Sequence, residues 1–258
     1  MKSTTTYLTR SLSAETLKLK NTFALWMAIL APCALISMFF LAFWSKGEHL
    51  VMKSLGPWTS FGFRTFALYT QLLMPIFIAL LTSMTNGIEH KANGWKHLYA
   101  LPLPKSTVYF SKAALVLGLV ACSTLVFMLA ILSAGTVLRW LRPDLGFQNY
   151  EGISMILITS VKIFLASFVI VAIQFWLSMR WSSFALSMGV AIVAIITTVV
   201  ASRWEHIHYY PFAYPLMTFN GYMKQSGQFF TEEIWRSLAV GTAVFILGYM
   251  DISRKKIL

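Results

Sequence analysis

The segment Ala113–Leu138 reads AALVLGLVACSTLVFMLAILSAGTVL, 26 consecutive residues without a charged side chain. A helix needs roughly 20 apolar residues to cross the ~30 Å hydrocarbon core of a bilayer, so this segment predicts a membrane-spanning helix. Helices are favoured because backbone groups inside lipid must be hydrogen-bonded within the segment. The whole chain is 57% hydrophobic and only 12% charged, which excludes an ordinary water-soluble domain.

Five further segments are long and apolar enough to do the same, or nearly so: Thr22–Trp44, Phe66–Asn86, Ser154–Met179, Ser183–Ser202 and Ile234–Met250. The last is short and depends on the apolar residues just before it. We therefore predict an all-α integral membrane protein with six transmembrane helices, in which residues 1–258 form one membrane domain.

The distribution of Lys and Arg between these segments predicts the orientation of the chain in the membrane. The side that holds both termini carries twelve basic and three acidic residues, whereas the opposite side carries eight basic and six acidic residues. We expect both termini to be cytoplasmic. The net charge of +12 is thus a topology signal, and it does not indicate a nucleic-acid partner.

Residues 1–21 and 203–233 are the first two segments that we expect outside the spans. One helical face of the first segment carries Leu8, Leu12, Glu15 and Leu19, which favours an interfacial helix on the cytoplasmic leaflet over a disordered basic tail.

The external loop 203–233 is rich in aromatic residues, which favour the membrane interface. We expect it to fold back onto the outer leaflet, either as a gate or as an ordinary aromatic belt.

The third segment, residues 87–112 between spans two and three, predicts a short cytoplasmic helix that docks on something. Asn93-Gly94 precedes a brief helical pattern over 95–101, and Pro102 ends it. A helix this short is not stable by propensity alone, so it must pack against the membrane surface or another protein.

The sequence contains no phosphate-binding loop, dinucleotide fingerprint or zinc-binding histidine pair, so we predict no catalytic site, cofactor or metal in this chain. Lys162 is the charged residue inside a predicted span, and such residues often mark a pathway. It also lies near the outer end of its span, where its ammonium group reaches the interface by snorkelling. Gln71 and Gln174 are weaker pathway candidates. Span five contains two pairs of small residues four positions apart, Ala185 with Gly189 and Ser187 with Ala191. Small residues at this spacing allow close helix contact, either between two subunits or within one.

The docking segment resembles that of the permease subunits of type-2 ABC exporters. The residues that carry this resemblance are Glu89, Gly94, Trp95, Lys96, Leu98, Leu101, Pro102, Lys105 and Lys112, with Glu15 and Lys18 matching the entry helix of that family. Trp95 stands where Thr is commoner and Lys105 where Arg is commoner, which looks more like the small permeases of bacteriocin-immunity and peptide-export systems.

The resemblance implies a division of labour in a bacterial cytoplasmic membrane. A separate ABC ATPase would consume ATP with Mg²⁺. It would also bind the coupling helix, the short helix between spans two and three, for which the matching residues run from Glu89 to Lys105. A second permease, identical or a sister chain, would complete the transporter alongside membrane lipid. The cargo would be a peptide, a lipid-like molecule or a drug-like molecule. The alternatives are a stand-alone carrier or channel and a sensory or assembly subunit.

Overall fold

The computed structural model describes residues 4–20, 22–52, 54–91, 104–223 and 228–254, and within these ranges every regular element is helical. The helices are α1 (Thr4–Leu19), α2 (Phe23–Leu50), α3 (Gly56–Leu68), α4 (Met74–Lys91), α5 (Lys105–Leu141), α6 (Ile153–Ala166), α7 (Phe168–Arg180), α8 (Phe184–Val200), α9 (Tyr214–Met223) and α10 (Glu232–Arg254). A π-helical turn, Tyr69–Leu73, joins α3 to α4.

Within the described ranges, five helical stretches are long and apolar enough to cross a membrane: Phe23–Leu50, Gly56–His90, Lys105–Leu141, Ile153–Arg180 and Phe184–Arg203. They correspond to the first five predicted spans. The sixth predicted span, Ile234–Met250, lies in α10, which is helical as expected but is not among the five. Charged residues at both ends of α10 lower its hydropathy.

Two helices begin earlier than the sequence predicts. The helix of the second predicted span starts at Gly56, not Phe66, and α5 starts at Lys105, not Ala113. In α3 the polar residues of the early part are satisfied by the helix itself, since Ser60 donates to the carbonyl of Gly56 and Thr65 to that of Phe61. Such residues look polar in the sequence but are compatible with a buried helix.

Helices α7 and α10 run parallel along their whole length. Near their starts, the Ser237 hydroxyl lies 2.9 Å from the Ala166 carbonyl oxygen and accepts from the backbone N–H of Val169. At their ends, Arg180 forms an ion pair with Asp251 at 2.6 Å. The break between α6 and α7 is thus filled by a side chain of α10.

The described part of the aromatic segment 203–233 packs into the bundle through α9. Helix α9 contacts α6, α3 and the π-turn. Within it Phe219 is buried beside Phe63 and Phe66, with ring centroids 5.3 and 6.4 Å away. Trp204 and Tyr209 remain exposed. The gate and the aromatic belt both stay predictions.

One end of the bundle carries the site described next. It gathers α1, the ends of α4, α7 and α10, and the starts of α2, α5 and α8. We call it the basal end, and the other the distal end.

Candidate coupling site

Four charged side chains from three helices meet at the basal end. Lys112 of α5 lies between two carboxylates, with its Nζ 2.6 Å from Oε2 of Glu15 and 2.9 Å from Oε2 of Glu89. Lys18 of α1 closes the ring, since its Nζ lies 2.7 Å from Oε1 of Glu15 and 3.0 Å from Oε1 of Glu89. Each carboxylate therefore bridges two ammonium groups. We call these four residues the charge cluster.

Helix geometry explains why these residues meet. Glu15 and Lys18 are three residues apart and so share a face of α1. Glu89 lies in the last turn of α4, and Lys112 lies two turns into α5. A hydroxyl pair beside the cluster also joins α1 to α5, since the Oγ atoms of Ser11 and Ser111 are 2.8 Å apart.

The charge cluster is buried and electrically neutral. Lys112 is fully buried, Glu15 and Glu89 are 4% and 3% exposed, and the Lys18 side chain is 35% exposed. Removing ions from water is costly, and their mutual attraction offsets that cost only when the pairing is complete. Lys112 and Glu89 form an ion pair. The geometry of this pair does not align a hydrogen bond to Oε2 of Glu89. The three helices are thus fixed together by groups that cannot part without leaving a buried charge.

The environment keeps both α1 residues ionised. Burial raises the pKa of the Glu15 carboxyl, but the ammonium groups of Lys112 and Lys18 outweigh burial and hold this pKa below its usual value. Burial lowers the pKa of Lys18, but the hydrogen bonds to Glu15 and Glu89 outweigh it and raise this pKa. The ion pairs of α1 therefore persist around neutral pH.

The structure brings together Glu15, Lys18 and Glu89, three of the predicted site residues, around Lys112. It places Lys105 elsewhere, where its ammonium group donates to the carbonyl of Ser253 in α10 at 3.1 Å. The remaining predicted coupling residues, Gly94, Trp95, Lys96, Leu98, Leu101 and Pro102, lie outside the described residues. The coupling helix itself stays a prediction.

Two of the pathway candidates, Lys162 and Gln71, lie apart from the charge cluster and from each other. The Lys162 ammonium group donates to the carbonyl of Gln228 at 2.6 Å and lies 5.8 Å from the ring centroid of Phe229. Lys162 thus contacts the segment that precedes α10, and snorkelling stays a prediction. Gln71 is half-buried in the π-turn. A pathway role for either residue stays a prediction.

A buried polar seam, which was not predicted from the sequence, runs from the charge cluster along α4. Thr82, Thr85, Asn86 and Glu89 share one face of α4, and all are buried. Asn86 donates to the Ser178 hydroxyl of α7 at 2.7 Å. Gln174, one turn earlier on α7, is fully buried, and neither of its amide atoms has a hydrogen-bond partner among the described residues. The polar spacing i, i+3, i+4, i+7 was the available signal.

Comparison with known proteins assigns a family to this arrangement. The family described as "ABC-2 family transporter protein" matches residues 11–198, which include the second half of α1 and all four residues of the charge cluster. No curated protein and no solved structure matches the chain.

Replacing Lys112 with Met should destabilise the protein by about 3–5 kcal/mol, because two carboxylates then remain buried with only Lys18 to neutralise them. Thermal unfolding in detergent measures the loss. Lys20→Met is the matched control, since Lys20 is an exposed residue that follows α1 directly. Equal stability of the two variants would contradict the role given to Lys112.

The contribution of Glu15 should depend on pH in a defined direction. Because its folded pKa is lower than the unfolded value near 4.5, the Glu15 carboxylate stabilises the fold above that value. This stability is lost as the pH falls through the folded pKa. The difference in unfolding temperature between wild type and Glu15→Gln should therefore be largest at about pH 7 and shrink steadily as the pH falls below 4.5. A constant difference across this range would contradict the prediction.

Proposed function

Because the chain belongs to the ABC-2 transporter family, we propose that it is the permease subunit of an ATP-driven exporter whose ATPase is a separate chain. The family match implies partnership with an ABC ATPase. The observation that carries the proposal is the position of the charge cluster. Glu89 and Lys112 lie on the two helices that flank residues 92–104, and their ion pairs join both helices to α1.

The orientation that we propose puts the basal end in the cytoplasm. It places the basic excess of the sequence on the inner side, as the positive-inside rule requires. Helix α10 then serves as the sixth span, because it lies parallel to α7 from Ser237 to Asp251, and α7 completes the fourth span. At 23 residues, α10 is about 34 Å long, enough to cross the hydrocarbon core.

In the proposed mechanism, the partner ATPase binds the segment 92–104, with Trp95 and Leu98 on the apolar side of a coupling helix. ATP and Mg²⁺ are bound by that partner. When the ATPase closes, it displaces the segment 92–104. Glu89 and Lys112 lie on the two helices that flank this segment, so both are displaced together. Their ion pairs then move α1, α4 and α5 as one body. Binding energy shifts a conformation only if the two states are bound differently, and this segment is where the difference is transmitted.

A second permease, identical or a sister chain, completes the transporter in this proposal. In α8 the two small-residue faces differ. Ser187 and Ala191 are buried within the subunit, and the Ser187 hydroxyl accepts from that of Ser83 at 3.0 Å. Ala185 and Gly189 line a groove on the outer surface, and an added Cβ at Gly189 would meet no atom within 4 Å. That outer face supports close contact with a second permease.

The cargo that we propose is a peptide, a lipid-like molecule or a drug-like molecule. The similarity to small bacteriocin-immunity permeases favours a peptide among these. A stand-alone carrier is the second candidate function. Ion-coupled carriers use carboxylates within their spans, whereas the fully or nearly fully buried carboxylates of the described residues, Glu15 and Glu89, are ion-paired at the basal end. This placement favours the permease.

Replacing Trp95 with Ala should abolish transport and transport-linked ATP turnover while leaving membrane insertion unchanged, because the docking helix loses its largest apolar side chain. The assay is ATP turnover of the permease–ATPase complex, together with recovery of the ATPase when the permease is purified. Cys122→Ala, an exposed position in α5, is the control. Glu89→Ala should lose transport as well. Normal export by Trp95→Ala would remove the docking assignment.

A further inference from the structure

A cleft of about 460 Å³ opens at the basal end, on the opposite side of α4 from the charge cluster. Its size lies in the range of small-molecule sites, roughly 300–1,000 Å³. It is formed by the start of α2, the last turns of α4, and the connection between α7 and α8. Apolar lining is supplied by Leu80, Met84 and Phe184, and polar lining by Thr22, Ser182 and Ser183.

The cleft combines an apolar wall with a fixed polar floor. On the floor, the Ser83 hydroxyl donates to Ser187 at 3.0 Å, and Nε2 of His90 lies 3.0 Å from the Ser178 carbonyl oxygen. These groups already satisfy one another. Three further hydroxyl groups lie at helix ends, at the rim of the bundle: Thr22 precedes α2, and Ser182 and Ser183 lie between α7 and α8. A ligand that fits has one long apolar part and one polar end.

The charges around the cleft favour an anionic polar end. No acidic residue lines it among the described residues. Exposed Lys20 directly follows the lining residue Leu19, and Arg180 directly precedes the lining residue Trp181. The side chain of Arg180 is 41% exposed while it pairs with Asp251. Two cations thus lie one residue along the chain from the lining of the cleft, and an anionic group at its mouth is the end of a ligand that they would attract.

We propose that this cleft binds a phospholipid from the adjacent leaflet, which is the inner leaflet in the orientation proposed above. One acyl chain lies against Leu80, Met84 and Phe184, and the phosphate stays at the mouth near Lys20 and Arg180. A peptide fits less well, because its backbone groups need hydrogen-bond partners that the apolar wall lacks. In this position the acyl chain fills the cleft, so that the basal end presents a continuous apolar surface to the membrane.

The cleft and the charge cluster lie on opposite faces of α4 but share its last turns. Ile88 and His90 line the cleft and flank Glu89, while Leu19 lines it and follows Lys18. A lipid held there packs against the same helical turns that carry the ion pairs. Occupancy of the cleft therefore favours the arrangement in which α1 is joined to α4.

Two glycines allow a matched test of this site. Gly87 lines the cleft and Gly118 lies exposed on α5 outside it, and a Cβ added to either would meet no atom within 4 Å. Gly87→Leu therefore adds a side chain to the cleft, and the first atom of that side chain meets no neighbour. Gly118→Leu makes the same chemical change elsewhere. Met84→Phe is a second cleft-filling variant, in case Gly87→Leu does not fold.

The probe is phosphatidylglycerol with a photoactivatable group in its acyl chain, in phosphatidylcholine nanodiscs that contain the permease alone. We expect labelling of residues 80–88 and 184–187, reduced about tenfold by Gly87→Leu or Met84→Phe, and unchanged by Gly118→Leu. Equal labelling of wild type and both cleft-filling variants would overturn the proposal, as would labelling spread evenly over the outer helical faces. No ATPase or nucleotide is present, so failure here is distinguishable from failure of the proposed export function.

Discussion

The rest of the structure depends on one fully buried ammonium group. Lys112 lies in the first turns of a 37-residue helix, between carboxylates from two other helices. A lone buried ion of this kind is too costly to keep, so Glu15 and Glu89 must stay in place for the bundle to fold as it does. This constraint fixes α1 against the membrane-spanning helices, although α1 itself is short and mostly polar. It also gives α1 a mechanical connection to both helices that flank residues 92–104.

Polar interactions extend from the charge cluster into the bundle and define which helices are joined firmly. The seam from Glu89 to Thr82 joins α4 to α7 through Asn86 and Ser178. At the same end, the Arg180–Asp251 pair joins α7 to α10. The distal end combines an ion pair with packed aromatic rings, since Arg142 pairs with Glu48 of α2 at 3.1 Å and the rings of Phe43, Phe61 and Phe147 pack edge to face. Polar contacts therefore join helices at both ends, and the Lys112 ion pairs differ from the others by their burial.

The sequence predicted the helical membrane class because long apolar segments have few alternatives in lipid. It also identified Glu15, Lys18, Glu89 and Lys112 through a family resemblance. It did not show that these residues touch, because Glu15 and Lys112 are 97 positions apart and no local pattern encodes their contact. The start at Gly56 was missed because hydropathy counts Thr65 as polar, whereas in a helix its hydroxyl donates to the carbonyl of Phe61. The seam residue Gln174 was considered only as a pathway candidate, since burial between two helices depends on their register.

In the proposed mechanism, α1 and α5 move as one body while the partner ATPase hydrolyses ATP. Ser11 and Ser111 permit a direct measurement, because their Oγ atoms are 2.8 Å apart and cysteines at both positions are placed to form a disulfide. In a chain whose Cys33 and Cys122 are replaced by Ala, ATP turnover of the reconstituted permease–ATPase complex is measured before and after oxidation. The account predicts transport-linked turnover that oxidation leaves unchanged. Loss of turnover on oxidation, restored by reduction, would contradict it.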